Sequence, residues 1–468
     1  MICRILNFSY SLVGKLGEKT NRAIRTAAYF TLFLFALLYG SSILDGVHHL
    51  IKCIIGALLM GVIIIFTMNG PIKPQRWNKT VSILWFGTGA LQLLSGIFVS
   101  MEYLPLACIW LVGFPALFLV WNNRKDYPAL FAEVAIAGNA CFLLVILSSA
   151  LCYPLGANAY GGILQNPNGM GQWITFAYPL ILFLCHCEKR SKMKWLYYGE
   201  IGLMFLFCVL SRGRTALLAI VAMTLVWIVL RIRCCPKGVW DQWKRVPVFA
   251  VCVVIAGASF FLVNQAAEPI SGYMELPQIN ADPEIWGDDI EMEDPEFQET
   301  DIPNHGDPTQ NGSKNEHYLK KLLERILGMD KTGKSLEDYS SGRTGIWLEA
   351  LESSNWMGHP SREHIITDRN GDVGSNVHNT IFQFIYDNGI LTGLLFAVMM
   401  AYAWIKMFVL AWKRRAPTGV EVTCLTIQTG YILTSFLASL NLVFLYLIGF
   451  IYYLTFAVLF DKDNASIH

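Results

Sequence analysis

SGRTGIWLEALE at residues 341–352 and VHNTIFQFIYDNGILTGLL at residues 377–395 mark the boundary between two kinds of sequence. A long polar block over about 265–378 ends here, and an apolar run begins directly after His378. Apolar runs also fill most of the chain before the polar block. This boundary decides the fold, because the polar block that ends here is one hydrophilic domain inserted between two sets of membrane-spanning segments.

The composition is that of a membrane protein. Apolar residues make up 54% of the 468, and charged residues only 15%. Apolar runs of about 18–24 residues recur, which is the length of helix that crosses a hydrocarbon core. The sequence predicts an all-α polytopic membrane protein with about 12 transmembrane helices. The predicted spans are 27–44, 50–68, 80–99, 104–121, 129–151, 170–186, 195–210, 214–231, 247–264, 380–410, 420–440 and 442–460.

The polar block divides the chain into three regions. Residues 1–264 form an N-terminal membrane bundle with spans 1–9, and residues 380–468 contain spans 10–12. Residues 265–379 form one large loop between spans 9 and 10.

Lys and Arg in the short loops indicate the orientation of the spans. They concentrate in the first 26 residues and in turns such as 186–194 and 231–245. The short turns on the other side contain only Arg212 and Arg214 as basic residues. Because cytoplasmic loops are enriched in Lys and Arg, we predict that both termini are cytoplasmic and that the large loop is extracytoplasmic.

The large loop changes character along its length. Residues 268–307 contain thirteen acidic residues and neither Lys nor Arg, so we predict a solvated, poorly ordered arm. Residues 316–354 are predicted to be helical. Leucines and isoleucines recur at helical spacing in EHYLKKLLERILG, 316–328, and RTGIWLEALESS, 343–354, also has an apolar face.

Several classes of ligand find no support in the sequence. The net charge of +1 comes from 36 basic and 35 acidic residues that are sorted into different loops, so no nucleic-acid partner is predicted. The cysteines and histidines do not recur at zinc-site spacing, and no stretch has the pattern of a twelve-residue calcium loop. We therefore predict no metal site and no cofactor.

Basic residues at the outer side are the first candidates for function. Arg212 and Arg214, in VLSRGRTALLA, are either arginines that anchor a helix end in lipid headgroups or ligands of an anion. Arg343 begins a predicted helix, where the helix dipole opposes a cation, so it requires an anionic partner. That partner is either an acidic side chain such as Glu337 or Asp338, or a ligand.

Two further segments carry polar residues at the same side. His378 directly precedes span 10, and Asn379 can cap that helix through its side chain. A single histidine at a membrane interface is more often structural than catalytic. The loop 152–170, rich in Gly, Pro and Asn, contains Gln165 and Asn168; it either dips back into the bundle or forms a simple surface loop, which is slightly favoured.

The combination of Arg212, Arg343 and His378 indicates a function more strongly than each residue alone, because the three come from distant parts of the sequence and share the outer side. Arginines offer planar, permanently charged donors that match phosphate oxygens. Histidine can take up a proton near neutral pH. The set suits transfer chemistry on a lipid-linked diphosphate, in which the leaving diphosphate gains charge and an acceptor hydroxyl loses its proton.

These motifs resemble those of the O-antigen ligases and O-antigen polymerases of bacterial surface-polysaccharide assembly. The resemblance covers most of the chain and includes QNPNGMG at 165–171, SRGRTALLA at 211–219 and HNTIFQFIYDNGILTG at 378–393. The last is the most specific, because a His-Asn pair stands eleven residues before the G-x-x-x-G of Gly389 and Gly393. In the loop motif, Trp347 stands four residues after Arg343 where leucine is usual.

The resemblance implies a metal-independent, extracytoplasmic glycosyltransferase of the GT-C type in the bacterial cytoplasmic membrane. Its donor would be a glycan on undecaprenyl diphosphate, and its acceptor another glycan or a cell-surface molecule. Carried over by position, Arg212 and Arg343 would bind the diphosphate, and His378 would act as base or orient the acceptor hydroxyl. The further substrate-binding residues would be Arg214, Asn379, Asn168 and Gln165.

Two other classes of protein fit the span pattern. A transporter or flippase of lipid-linked oligosaccharides would also have about twelve spans, but it often shows repeated halves and interrupted helices near the midplane. A sensor would need a cytoplasmic output domain. The sequence shows no convincing repeat, and its polar residues cluster at the outer helix ends, so the transferase is the favoured prediction.

Overall fold

The structure is a computed structural model of the chain. It describes residues 2–13, 16–41, 43, 49–153, 155, 159–164, 166–234, 246–271, 343–360, 366–367, 373–374, 376–414, 419–440 and 446–461. The predicted acidic arm beyond Ser271, the predicted helix at 316–328 and Gln165 lie outside these residues.

Helices dominate the described chain. The N-terminal part contains α1 (Ile2–Val13), α2 (Glu18–Gly40), α3 (His49–Thr67), α4 (Lys79–Phe98), α5 (Leu104–Cys108), α6 (Phe114–Arg124) and α7 (Tyr127–Cys152). A short 3-10 helix, Met101–Tyr103, leads into α5, and a π-helical turn, Ile109–Gly113, joins α5 to α6. A second 3-10 helix, Gly162–Leu164, precedes α8 (Pro167–Cys187), which is followed by α9 (Ser191–Leu210), α10 (Arg214–Cys234) and α11 (Val246–Ser271).

The C-terminal part begins with a short helix of the large loop. It contains α12 (Arg343–Glu352), the two-residue antiparallel strands β1 (Ile366–Thr367) and β2 (Val373–Gly374), α13 (Thr380–Asn388), α14 (Ile390–Lys413), α15 (Gly419–Ser435), α16 (Leu447–Leu454) and α17 (Phe456–Phe460). The helix predicted from RTGIWLEALESS is therefore present as α12.

Within the described residues, nine helices are long and apolar enough to cross a membrane. Each of the twelve predicted spans overlaps a helix or a pair of consecutive helices. The stretches Ile51–Thr67 and Leu447–Phe460 are apolar but shorter than the nine, and α15 has 17 residues. The chain is thus a helical, multi-pass membrane protein.

Three of the differences from the predicted boundaries concern α1, α11 and predicted span 10. Helix α1 forms within the basic N-terminal segment, where no helix was predicted. Helix α11 continues to Ser271, beyond the predicted end of span 9 at residue 264. Predicted span 10 is two helices, because Gly389 separates α13 from α14 with φ of 93° and ψ of 157°.

The break at Gly389 packs against the turn that follows α12. Ile390 N–H donates to the Asn355 carbonyl at 3.0 Å, and His359 N–H donates to the Tyr386 carbonyl at 3.0 Å. A Cβ on Gly389 would lie 2.1 Å from the Trp356 carbonyl oxygen. The two backbones approach this closely because a glycine stands on each side: a Cβ on Gly358 would likewise lie 2.1 Å from the Asp387 carbonyl oxygen. The contact joins the turn after α12 to the membrane bundle.

Buried indoles illustrate how the bundle satisfies polar groups. Trp85 of α4 and Trp110 of the π-helical turn stack with ring centroids 4.6 Å apart. Each indole N–H donates to the other residue's carbonyl oxygen at 3.0 Å. Inside a bilayer each N–H needs a partner within the protein, so this reciprocal pair lets two large rings occupy the core without an unpaired donor.

A buried ion network joins α2 to α7 at the end of the bundle where α2 begins. Arg25 forms a two-pronged pair with Glu133, at 2.7 Å and 2.6 Å, and both side chains are fully buried. The Arg25 guanidinium also donates to Glu18 at 2.9 Å and to the Phe66 carbonyl at 2.7 Å. Arg124 donates to the same Glu18 at 2.6 Å. Arg25 and Glu133 compensate each other's charge away from water, whereas Glu18 is half exposed at the edge of the network.

Glu133→Ala is expected to reduce the yield of folded protein strongly. The substitution leaves Arg25 buried without its main counter-charge, and breaking a buried pair typically costs about 3–5 kcal/mol. Arg22→Ala is the matched control, because Arg22 reaches the same carboxylate only at 3.8 Å and its side chain is 53% exposed. Size-exclusion profiles and thermal melting in detergent measure both variants. Equal melting of the two would show that the Arg25–Glu133 pair does not hold the bundle together.

Candidate functional site

A cleft lies where several distant parts of the chain meet at one end of the bundle. Its lining is rich in hydroxyl and amide groups and includes one arginine and one histidine. The lining residues are Asn168, Gly171, Gln172, Thr175, Gly213, Thr215, Ala216, Arg343, Asn376, His378, Thr434, Leu437, Ala438, Ser439 and Tyr446. Arg343, His378 and Asn168, which the sequence analysis selected, therefore share one cavity.

Arg343 is the first residue of α12 and is half-buried. Its Nη1 donates to the Leu437 carbonyl at 3.3 Å, a neutral acceptor that leaves the positive charge uncompensated at this contact. The acidic partners considered from the sequence, Glu337 and Asp338, lie outside the described residues. At the start of a helix the dipole disfavours a cation, so an anion in the cleft would stabilise this arrangement.

His378 lies at the wall of the cleft and is 7% exposed. Its φ of 52° is in the left-handed region, which non-glycine residues seldom adopt. Its N–H donates to Asn376 Oδ1 at 2.9 Å. Burial, together with the nearby positive charge of Arg343, lowers the pKa of His378 to about 3. The imidazole is therefore neutral near pH 7, with an unprotonated ring nitrogen that is a weak base in this environment.

Helix N-termini surround the cleft. Lining residues lie in the first turns of α8 and α10, at the first residue of α12, and directly before α13 and α16. Each N-terminus carries a partial positive charge of roughly half an elementary charge, which favours anions. Two helices approach the cleft with their C-terminal ends, α9 through the turn at Gly213 and α15 at Thr434. The five N-termini outnumber these two C-termini, which adds to the charge of Arg343 and makes the cleft suited to an anionic group.

Arg212 and Arg214 flank the cleft. The lining contains Gly213 and Thr215 of their turn. Arg212 has a left-handed φ of 52°, and Arg214 begins α10. The structure thus places the turn that carries both arginines at the same cleft as Arg343 and His378, although neither Arg212 nor Arg214 is among the lining residues described.

Asn379 has a structural task. Its Oδ1 accepts from Ile381 N–H at 3.0 Å and from Phe382 N–H at 3.2 Å, which caps α13 as the sequence predicts. Its Nδ2 donates to the Phe436 carbonyl at 3.2 Å. Asn379 is 4% exposed and is not among the residues that line the cleft, so its side chain caps α13 and ties that helix to Phe436.

The loop at 152–170 packs into the bundle in its described part. Tyr160 is 6% exposed, and its hydroxyl donates to the Ser149 carbonyl at 2.8 Å. Gly162 and Leu164 are also buried. Asn166 then caps α8 through its side chain, and the exposed Asn168 reaches the cleft. The packed arrangement, which the sequence analysis favoured slightly less, is the one observed for these residues.

The segment after α15 is the part of the site that sequence reasoning missed. Thr434, Leu437, Ala438, Ser439 and Tyr446 all line the cleft. The only signal was that small hydroxyl residues interrupt the apolar run near the end of predicted span 11. Such a break is typical of many helix ends, so it did not point to a site.

No protein-family model matches the chain, and neither a curated protein nor a solved structure matches it. The functional conclusion therefore depends on the chemistry of the cleft.

The cleft combines two kinds of recognition. Arg343 and the helix N-termini provide positive potential, whereas Thr215 and Tyr446 provide hydroxyl groups. The hydroxyls of Thr175 and Ser439 donate to the Gly171 carbonyl and to Gln383, so towards the cleft they can only accept. A ligand with one anionic group and several hydroxyls matches this combination. A neutral histidine at the wall supplies a proton acceptor next to the bound ligand.

Proposed function

We propose that the protein is a metal-independent, extracytoplasmic glycosyltransferase of the O-antigen ligase or polysaccharide polymerase type. Its donor is a glycan on undecaprenyl diphosphate, and its acceptor is a hydroxyl of another glycan or cell-surface molecule. The observation that supports this proposal best is the convergence of Arg343 and five helix N-termini on a cleft beside a buried, neutral His378. The same convergence suits the charge of a diphosphate leaving group.

The residues have distinct roles in the proposed reaction. The bond between the donor sugar and the diphosphate oxygen breaks, and the acceptor oxygen forms a bond to the same sugar carbon. His378 takes the proton of the acceptor hydroxyl, and the diphosphate leaves with its electron pair. Arg343, the helix N-termini and, at the flank, Arg212 and Arg214 stabilise the charge that grows on the leaving oxygens.

The low pKa of His378 fits this order of events. Burial first, and then the charge of Arg343, disfavours an imidazolium ion. A diphosphate in the cleft would neutralise the charge of Arg343 and add negative charge nearby, which raises the pKa of the histidine. The donor would therefore make His378 a stronger base, while the effect of burial remains.

The membrane arrangement belongs to the same proposal. All twelve predicted spans cross a bacterial cytoplasmic membrane in a GT-C-like bundle, the termini are cytoplasmic, and 265–378 is outside. Single cysteines placed in 265–378 are expected to react with a membrane-impermeant maleimide on intact cells. Cysteines in 235–245 should react only after permeabilisation. The reverse pattern would place the cleft on the cytoplasmic side, where lipid-linked polymerisation does not fit.

The activity is tested with purified protein in liposomes and a defined undecaprenyl-diphosphate-linked oligosaccharide. We expect covalent extension of the lipid-linked chain, or transfer to a separate acceptor, with undecaprenyl diphosphate released. A flippase would move the donor across the bilayer and leave its mass unchanged. EDTA should not abolish the reaction. Loss on EDTA treatment with recovery on one divalent metal would overturn the metal-independent mechanism and direct attention to the acidic residues of 268–307.

A further inference from the structure

Gln383, one turn into α13, is a buried amide near the cleft with three hydrogen-bond partners. It is 5% exposed. Its Oε1 accepts from Val377 N–H at 2.9 Å and from Ser439 Oγ–H at 3.0 Å. Its Nε2 donates to Asp387 Oδ1 at 2.9 Å. One side chain therefore binds the residue before His378, the segment after α15, and the end of its own helix.

These partners determine the orientation of the amide. Val377 N–H can only donate, so the atom that faces it must be the carbonyl oxygen. The amino group then faces Asp387, whose carboxylate can only accept when ionised. Reversing the amide would place its amino group against the Val377 N–H donor and its carbonyl oxygen against the Asp387 carboxylate. Buried polar groups do not tolerate such contacts. Gln383 is locked in one rotamer by chemistry as well as by packing.

The bond to Val377 bears directly on His378. The peptide unit before the histidine is held on both sides, because Trp347 Nε1–H donates to the Val377 carbonyl at 2.9 Å. His378 itself has a left-handed backbone, which is disfavoured in a residue with a Cβ. A strained conformation persists only where several surrounding contacts hold it in place. Gln383 provides one of these constraints from within α13.

The bond to Ser439 connects the histidine to the arginine. Ser439 lines the cleft two residues after Leu437, whose carbonyl accepts from Arg343. Thr380 strengthens the same junction, since its hydroxyl donates to the Ala438 carbonyl at 2.8 Å and accepts from Leu440 N–H at 2.9 Å. The segment 437–440 is thus held by Arg343 on one side and by α13 on the other.

We propose that Gln383 is a positioning residue that sets the place of His378 relative to Arg343 through Val377 and Ser439. The inference rests on the proposed function for its catalytic consequence, and on the hydrogen bonds alone for its structural one. A displacement of about 1 Å in a reacting group can cost about 10²-fold in rate. Loss of Gln383 should therefore lower kcat with little change in the KM for the donor, because Arg343 and the helix N-termini remain.

The decisive variants are Gln383→Leu, Gln383→Glu and the double variant Gln383→Glu with Asp387→Asn. Leucine removes all three hydrogen bonds at similar volume. Glutamate can accept the same two hydrogen bonds from Val377 and Ser439, but it places a second carboxylate against that of Asp387. The double variant restores that contact with the donor and acceptor exchanged, at unchanged net charge. Gln92→Leu is the matched control, because Gln92 is 1% exposed on α4 and its amide has no hydrogen-bond partner among the described residues.

Two measurements separate this inference from the proposed function. The first is the transfer assay, with kcat and KM for the donor. The second is the rate at which diethyl pyrocarbonate modifies His378, followed by mass spectrometry, which requires no activity. We expect Gln383→Leu to lower kcat by about 10²-fold and to change the modification rate of His378 several-fold. Gln92→Leu should change neither, and the double variant should recover most of what Gln383→Glu loses.

Each outcome decides one question. Unchanged modification of His378 in Gln383→Leu, together with unchanged kcat, would overturn the positioning role. A changed modification rate in a protein whose wild type transfers no glycan would support the positioning role and refute the proposed function. Should Gln383→Leu fail to fold, Ser439→Ala removes only the bond to the cleft segment. In that variant, an altered rate of His378 modification supports the inference, and a wild-type modification rate contradicts it.

Discussion

Arg343→Ala is expected to lower glycan transfer by about 10²–10³-fold, which is the usual loss when one preorganised donor to a developing anion is removed. The effect should be on kcat as well as on donor binding, because the diphosphate carries more charge in the transition state than in the ground state. Folding should be retained, since the described bond of the Arg343 side chain is a single contact to the Leu437 carbonyl. Protein recovered from membranes must be matched before rates are compared.

Arg343→Lys tests whether charge alone is sufficient. Lysine keeps the positive charge but presents a point charge in place of the planar fork of donors, so only partial activity should return. Arg190→Ala is the control for the loss of one arginine, because Arg190 is 76% exposed in the turn before α9. Full activity of Arg343→Ala at matched abundance would show that Arg343 is an anchor of the helix end and not a ligand of the diphosphate.

His378 provides the second half of this test. His378→Ala should reduce transfer while donor binding persists, because the arginine and the helix N-termini remain. His378→Gln can still orient a hydroxyl but cannot remove its proton. Activity of the glutamine variant near that of wild type would therefore reassign His378 from base to orienting group.

Gly389→Ala is expected to have the largest effect on folding. The backbone at Gly389, with φ of 93° and ψ of 157°, lies in a region that only glycine occupies readily. The added Cβ would meet the Trp356 carbonyl oxygen at 2.1 Å, so the backbone itself would have to move. Strain of about 1–3 kcal/mol and the clash together should destabilise the junction between α13 and the turn after α12. We expect a lower melting temperature and little or no transfer activity.

Gly61→Ala is the matched control for this substitution. Gly61 lies within α3, and a Cβ there would have nothing within 4 Å. In a helix interior this replacement is favourable by up to about 1 kcal/mol, so the control should melt at or above the wild-type temperature. If Gly389→Ala melted with the control, the close packing at the break would not contribute to stability.

Much of the fold could be predicted from local sequence. The helices follow from apolar runs whose lengths match a bilayer, because hydrophobic burial acts on each segment separately. Helix α12 follows from its own apolar face, and the cap of α13 follows from Asn379 at the right position. The break at Gly389 was not predicted, because the glycine is required by the Trp356 backbone, which is distant in sequence.

The candidate site was predictable only in part, for the same reason. Arg343 and His378 were selected because each residue type has a known chemistry, and the structure places both in one cleft. The contribution of 434–446 was missed, since neutral hydroxyls and backbone carbonyls carry no signature of function in a sequence. The Arg25–Glu133 pair, 108 residues apart, was missed because the sequence does not show which charges meet.

The sequence by itself determined that this chain forms a helical membrane bundle with one large polar insertion, and it selected Arg343 and His378 as candidate site residues. Those properties depend on composition and on periodicity within single segments. Only the tertiary structure decided that five helices begin at one cleft. It also decided that Gln383 bonds both to Val377, beside His378, and to Ser439, in the segment that Arg343 contacts. Finally, it decided that Gly389 packs against the turn after α12. These features depend on contacts between distant segments, whose geometry is set when all the helices pack together.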